Sequence, residues 1–168
     1  MKEREYYISR VAEVLKKIFY ASVATVTPEG KAWNSPVYFS FDEDLNFYWS
    51  SSPSSQHSKN IAKNSNVFLV VYDSNARSGE GEGVYIEAVA DEVGADEFEH
   101  VIEVFGKRNG KSVKNISIYG EDGPQRLYRA VPRKMFINDD ERDEGGSFVR
   151  DYRVELSIDD VKKALGEA

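Results

Sequence analysis

Apolar residues in the stretch 2–19 fall at Tyr7, Val11, Val14, Leu15 and Ile18, the spacing of a helix with one buried stripe. The period then changes. Residues 20–27 are rich in Val and Thr, Pro28-Glu29-Gly30-Lys31 is turn chemistry, and residues 32–41 form a second strand-like run, so together they predict a β-hairpin. Asp42-Glu43-Asp44 makes a polar turn into a third strand over 45–51, with Leu45, Phe47 and Trp49 on one face and Asn46, Tyr48 and Ser50 on the other. A hydroxyl-rich loop from Ser50 to Ser55 enters a short helix over 56–63, which Ser54 or Ser55 is placed to cap, and a fourth strand spans 67–72.

A polar, glycine-rich loop covers 73–83, after which Val84, Ile86 and Ala88 alternate with Tyr85, Glu87 and Val89 in a fifth strand over 84–93. Helical spacing returns at Phe98, Val101, Ile102 and Phe105, and residues 127–137 read as a sixth strand. The acidic segment 139–146 predicts a mobile loop. A short strand at 153–156 and a helix opened by a capping box from Ser157 to Asp160 end the chain. Six antiparallel strands with few helices predict a mainly β fold, a small closed or partly split barrel, because closure removes exposed edges. Pro36 has no N–H to give to a ladder, so the second strand must be an edge or carry a bulge there, and irregular strand backbone leaves amides free for a ligand.

Length and composition narrow the classes. A chain of 168 residues, 40% hydrophobic and 30% charged, forms one core and one domain. A formal net charge of −7 argues against a surface built to track a nucleic-acid backbone, so any phosphate site must be local. The absence of cysteine excludes disulfides, thiolate nucleophiles and thiolate-ligated metals. With a charged start and no apolar run of membrane-spanning length, a cytoplasmic protein without a membrane or nucleic-acid partner is expected.

Candidate chemistry concentrates where the third strand runs through the serines into the short helix. Free backbone N–H groups, the hydroxyls of Ser58 and the loop serines, and the Lys59 ammonium converge there as a phosphate cradle, to which the helix end adds about 0.3–1 kcal/mol and His57 a further donor. The plainer account is that the serines only cap the helix and Lys59 is solvated. The neighbouring strand, Asn34-Ser35-Pro36-Val37-Tyr38-Phe39, offers the flat apolar slot with a polar rim that an isoalloxazine ring requires. Other signals fail on spacing. Gly106-Lys107-Arg108-Asn109-Gly110-Lys111-Ser112 is one residue short of a Walker loop and follows a helix, and Gly79-Glu80-Gly81-Glu82-Gly83 puts carboxylates where a pyrophosphate would lie. His100 is expected to be solvated, and two histidines give a transition-metal site little support.

The order of a hairpin with Pro36-Val37-Tyr38-Phe39 on its second strand, Trp49-Ser50 ending the third, then His57-Ser58-Lys59-Asn60-Ile61 and a Val-rich strand resembles the pyridoxamine 5′-phosphate oxidase-like FMN-binding split barrels, over roughly residues 19–90 and more weakly 127–137. The resemblance implies a six-stranded antiparallel split barrel, a homodimer, and FMN in the cleft between subunits. It places Ser35, Val37 and Tyr38 beside the isoalloxazine ring, Trp49, Ser50 and Ser51 beside the ring and ribityl chain, and Ser58 and Lys59 on the phosphate. The loop 74–83 and Tyr85 resemble the part that closes over the partner's cofactor. The implied activity is that of a flavin-dependent oxidoreductase using a small organic substrate or a nicotinamide cofactor. The alternatives are a non-catalytic flavin-binding or stress-related protein, or a barrel that uses F420 or haem. Two departures stand out: the loop from Ser50 to Lys59 is long, and the tail Arg150-Asp151-Tyr152-Arg153-Val154 lacks the histidine of the oxidases' Arg-x-His substrate clamp. Oxidation of pyridoxamine phosphate itself is therefore not expected.

Overall fold

The computed structural model describes residues 3–77, 79, 81–110, 116–120 and 122–166. β1 (Tyr20–Val26) and β2 (Ala32–Tyr38) form the expected hairpin, with Val23 opposite Ser35. The run 32–41 is not one strand, however. It breaks at Phe39, whose amide donates to the Phe19 carbonyl at 3.0 Å, and resumes as β3 (Ser40–Phe41), which pairs with β4 (Phe47–Ser51). With β5 (Asn66–Tyr72), β6 (Gly83–Glu92) and β7 (Arg126–Arg142), the antiparallel order is β2-β1-β5-β6-β7-β4-β3. The two ends of that order are neighbours in the chain, so the sheet curls into a barrel. It closes by ladder bonds only at β3; β2 pairs with β1 alone, leaving a seam between β2 and the end of β4. Pro36 sits on that open edge, where a missing N–H costs no ladder bond.

Among the described residues eight strands stand where six in the barrel and a short one near the end were expected, because β3 is split from β2; β8 (Phe148–Leu156) is that last strand, longer than foreseen. The acidic segment is also corrected. Residues 139–142 continue β7 and pair with β8, and the Asp143 carboxylate closes the turn by accepting the amides of Gly145 (2.9 Å) and Ser147 (2.8 Å). Asp139 anchors the root of this hairpin, accepting from Tyr7 at 2.5 Å and Tyr152 at 3.1 Å. Charge on both faces had hidden a strand whose two faces meet water. β4 begins two residues late for a different reason. Asp42 accepts the amides of Asp44 and Asn46 at 2.9 Å and the Tyr48 hydroxyl at 2.9 Å, winding a turn that puts Leu45 at φ 59° while its side chain is buried.

Val23, Phe39, Phe47, Trp49, Leu69, Ile86 and Met135 fill the barrel. α1 (Arg4–Lys17) and α4 (Ile158–Gly166) add Tyr7, Val11, Leu15 and Val161 to this core, with α1 packed against β5 and β6. α2 (Gln56–Ile61) packs on β1 and β2, where Ile61 enters the core and the buried Asn60 amide donates to Thr25 Oγ1 at 2.9 Å. α3 (Phe98–Asn109) lies outside the barrel, its Val101, Val104 and Phe105 forming a second cluster with Tyr48 and Leu127. Among the described residues no such helix covers the outer face of β1 and β5, where Tyr20 and Tyr72 are 59% and 50% exposed. Among the described residues no helix is long and apolar enough to cross a membrane.

Candidate functional site

β4 delivers Ser50 and Ser51 to the barrel end where α2 sits, and residues 52–55 return the chain into that helix. Ser55 occupies the capping position, but its hydroxyl makes no cap bond. It donates instead to Ser58 Oγ at 2.8 Å and lies 3.2 Å from His57 Nε2. The same Nε2 is 2.8 Å from Ser51 Oγ, while Nδ1 is 3.2 Å from Ser35 Oγ. One imidazole thus spans the seam from β2 to β4. Ser35 Oγ also accepts the Trp33 indole N–H at 3.2 Å, while the Tyr128 phenol lies beside Ser58 and Tyr119 beside Ser50. His57 is only 9% exposed, and burial pushes its imidazole below the usual histidine range, so the ring is neutral near pH 7.

Of the residues singled out from the sequence, Ser35, Ser51, His57 and Ser58 come together in one hydrogen-bonded group, with Ser50 adjoining and Lys59 exposed on α2. Three fall elsewhere. The Trp49 indole is fully buried and stacked on Tyr128 (5.7 Å, 17°), since alternation along β4 sends Phe47 and Trp49 inward, so Trp49 offers a ligand its main chain only. Val37 is likewise core. Tyr38 lies at the far end of β2, its ring stacked on Phe19 (5.8 Å, 16°) and its hydroxyl bonded to Asn109. Trp33 was missed: it is 46% exposed on the same face of β2 as Ser35 and presents a flat aromatic surface beside the cradle. The period of two along β2 was the signal that could have found it.

The donor set fits a phosphorylated flavin. Several hydroxyls gather at the end of β4, the adjoining helix α2 carries the exposed Lys59, and the open edge of β2 leaves main-chain groups for a ring with a polar rim. His100 is exposed, as expected, and faces Asp42 at 3.4 Å, beside a cavity of about 470 Å³ lined by Phe41, Val104, Lys107 and Lys162. Lys111 and Ser112 of the rejected Walker-like stretch, and Ser78 and Glu80 of the loop 74–83, lie outside the described residues.

An antiparallel barrel laddered through seven neighbouring strands and open beside β2 is a split barrel. Its sequence places it more closely: the pyridoxamine 5′-phosphate oxidase family matches residues 9–139, and the chain belongs to that family. No curated protein matches it. Among solved structures it is similar to the protein Atu2129 of unknown function from Agrobacterium tumefaciens str. C58 (19% identity, 89% of this chain and 63% of that one, TM-score 0.66). It is also similar to the heme storage protein HutZ from Vibrio cholerae (20%, 76% and 92%, TM-score 0.65) and to an F420 reductase (16%, 73% and 93%, TM-score 0.54). At these identities the likeness is one of fold. The chain spans less than two thirds of the Agrobacterium protein's length.

Proposed function

We propose that the protein binds FMN non-covalently between two copies of the chain and passes electrons between the flavin and a nicotinamide cofactor or small organic substrate. The observation that carries this reading is the group of hydroxyls of Ser51, Ser55 and Ser58 gathered round His57 beside the open edge of β2, with Lys59 exposed on the same helix as Ser58. When bound, the flavin supplies the redox chemistry, and no side chain need act as nucleophile. The chain's part is to hold and orient. Lys59 and the serine hydroxyls bind the phosphate, the β2 edge from Ser35 to Val37 meets the rim of the ring, and Trp33 shields one side from water. Support for a second copy comes from the uncovered outer face, where Tyr20, Tyr72 and the 39%-exposed Val26 form an apolar surface beside the half-buried Phe68 and Val70. Arg150 pairs with Glu141 at 2.6 Å in the β7–β8 hairpin, and Arg153 stacks on Tyr85 at 4.3 Å. Neither is joined by a histidine in the stretch 150–154, so the substrate is not read as pyridoxamine phosphate.

The names of similar structures make haem and F420 the rival ligands. Against haem, His57 has hydroxyl partners at both ring nitrogens, and His100, the other histidine, is exposed beside Asp42. The test is the visible spectrum of protein purified without added cofactor, followed by FMN titration. Flavin bands or tight FMN binding support the proposal. A Soret band, the shorter-wavelength absorption of a deazaflavin, or no FMN binding by folded protein overturns it. Bound flavin that no common reductant reduces leaves a flavin-storing protein.

A further inference from the structure

We propose that His57 takes up a proton as the site closes on its ligand, so that the site selects a doubly charged phosphate monoester over a phosphodiester or an unphosphorylated flavin. The inference rests on the reading of this site as a phosphate cradle, and its geometric basis is the seam. His57 Nε2 faces the hydroxyls of Ser51 (2.8 Å) and Ser55 (3.2 Å), and Nδ1 faces Ser35 (3.2 Å). A neutral imidazole has one N–H, so one ring nitrogen must accept, and a serine serving it turns its only proton toward the ring. In the imidazolium both nitrogens donate. Whichever of Ser35 and Ser51 had donated to the ring then becomes an acceptor like the other, so that both O–H groups, and not one, are free for other acceptors.

An arriving phosphate uses both consequences. Its oxygens accept the released hydroxyl protons, and its charge stabilises the imidazolium in a site with little water. A monoester carries a second negative charge above its second pKa of about 6, whereas a diester carries one charge at any such pH. The effect therefore grows with the charge that distinguishes the two classes.

The surroundings leave the ring to this role. On α2, Lys59 points to solvent. On β7, Arg126 is bound to the carbonyls of Gly120 and Gly123 and paired with Glu92 of β6 at 3.3 Å, and the Tyr128 phenol, which burial pushes above its usual range, lies beside Ser58. β1 and β2 bring Thr25 and Ser35 toward α2, neither of which titrates. Burial holds the ring's pKa down, and among the described residues no carboxylate holds it protonated beforehand.

The heat of FMN binding measured near pH 7 in two buffers of different protonation enthalpy counts the protons exchanged. Uptake of about one proton is expected, with the FMN dissociation constant rising about tenfold per pH unit above the phosphate's second pKa, and His57→Gln abolishing both. Riboflavin, which has no phosphate, should bind without uptake. FMN bound with no proton exchanged overturns the inference while leaving the flavin reading intact. If FMN does not bind, the flavin reading falls, and inorganic phosphate decides the inference. The NMR titration of the His57 ring in the unmodified protein should move to higher pH with phosphate present, and an unmoved midpoint refutes proton coupling. That measurement also stands if His57→Gln fails to fold.

Discussion

Two basic groups, one buried and one half-buried, sit at opposite ends of the barrel in opposite company. At one end His57 lies among hydroxyls, each of which can reverse donor and acceptor by rotating a single bond. At the other end Arg108 of α3 donates through Nη2 to the carbonyls of Leu15 and Ile18 at 2.7 Å, and its guanidinium lies 4.6, 5.4 and 5.1 Å from the ring centroids of Phe19, Phe39 and Phe41. Carbonyls at the end of α1 and aromatic faces accept only, and in fixed directions. The arginine end is therefore a clamp on the fold, whereas the histidine end can change its hydrogen-bonding sense without moving backbone. The ligand site proposed above lies at the end that can be rewired.

The largest expected effect tests the clamp. Arg108→Met strands two carbonyls and removes three cation–π contacts, and should cost about 3–4 kcal/mol in urea unfolding while FMN affinity of the folded fraction stays within a factor of two. A loss of FMN binding without a loss of stability would reverse the assignment of the two ends. Lys59→Ala tests the other end. It should weaken FMN by about 1.5–3 kcal/mol in a fluorescence titration with unchanged stability, since its side chain is exposed. Unchanged affinity would put the phosphate elsewhere. Asn60→Ala lies between the two, because it leaves Thr25 and Gln56 without their partner under α2, and about 1–2 kcal/mol of stability should be lost.

Acid titration of the apoprotein separates the ends with the smallest effect. Burial lowers His57, so below about pH 6.5 the unfolded chain binds the proton more readily, and stability declines as pH falls from there toward the folded-state pKa. Burial also acts on Asp42, raising it, but hydrogen bonds from Asn46, Tyr48 and His100 outweigh this and hold it below the usual range. Its stabilisation is present above about pH 3.9 and is lost only as pH falls through the lower folded value. Thermal melts from pH 7.5 down should show a first shallow loss that His57→Gln removes and a second, more acidic loss that Asp42→Asn removes.

Much of the barrel was legible because period-two alternation survives wherever one face is buried, as along β1, β5 and β6. Where both faces meet water the signal fails, and so the β7–β8 hairpin was read as an acidic loop and a short strand. The break at Phe39 and the left-handed Leu45 come from long-range and turn contacts that local pattern does not contain. In the site, residue type was a better guide than face. Ser35, Ser51, His57 and Ser58, grouped by residue type, do lie together, with Lys59 exposed on the same helix, but Trp49 and Tyr38 were placed with them although alternation along their strands sends one inward and the other to the face opposite Ser35.

The seam between β2 and the end of β4 has a mechanical consequence. The two strands are tied there by Ser35, His57 and Ser51 instead of main-chain rungs, so they can part by a small distance while the β1–β2 and β4–β7 registers stay intact. The barrel can breathe along one line without unravelling. If the proposed flavin lies along that line, it would take the place of an absent strand, and amide hydrogen exchange on the open side of β2 would slow when it is filled, giving a readout of occupancy that needs neither colour nor turnover.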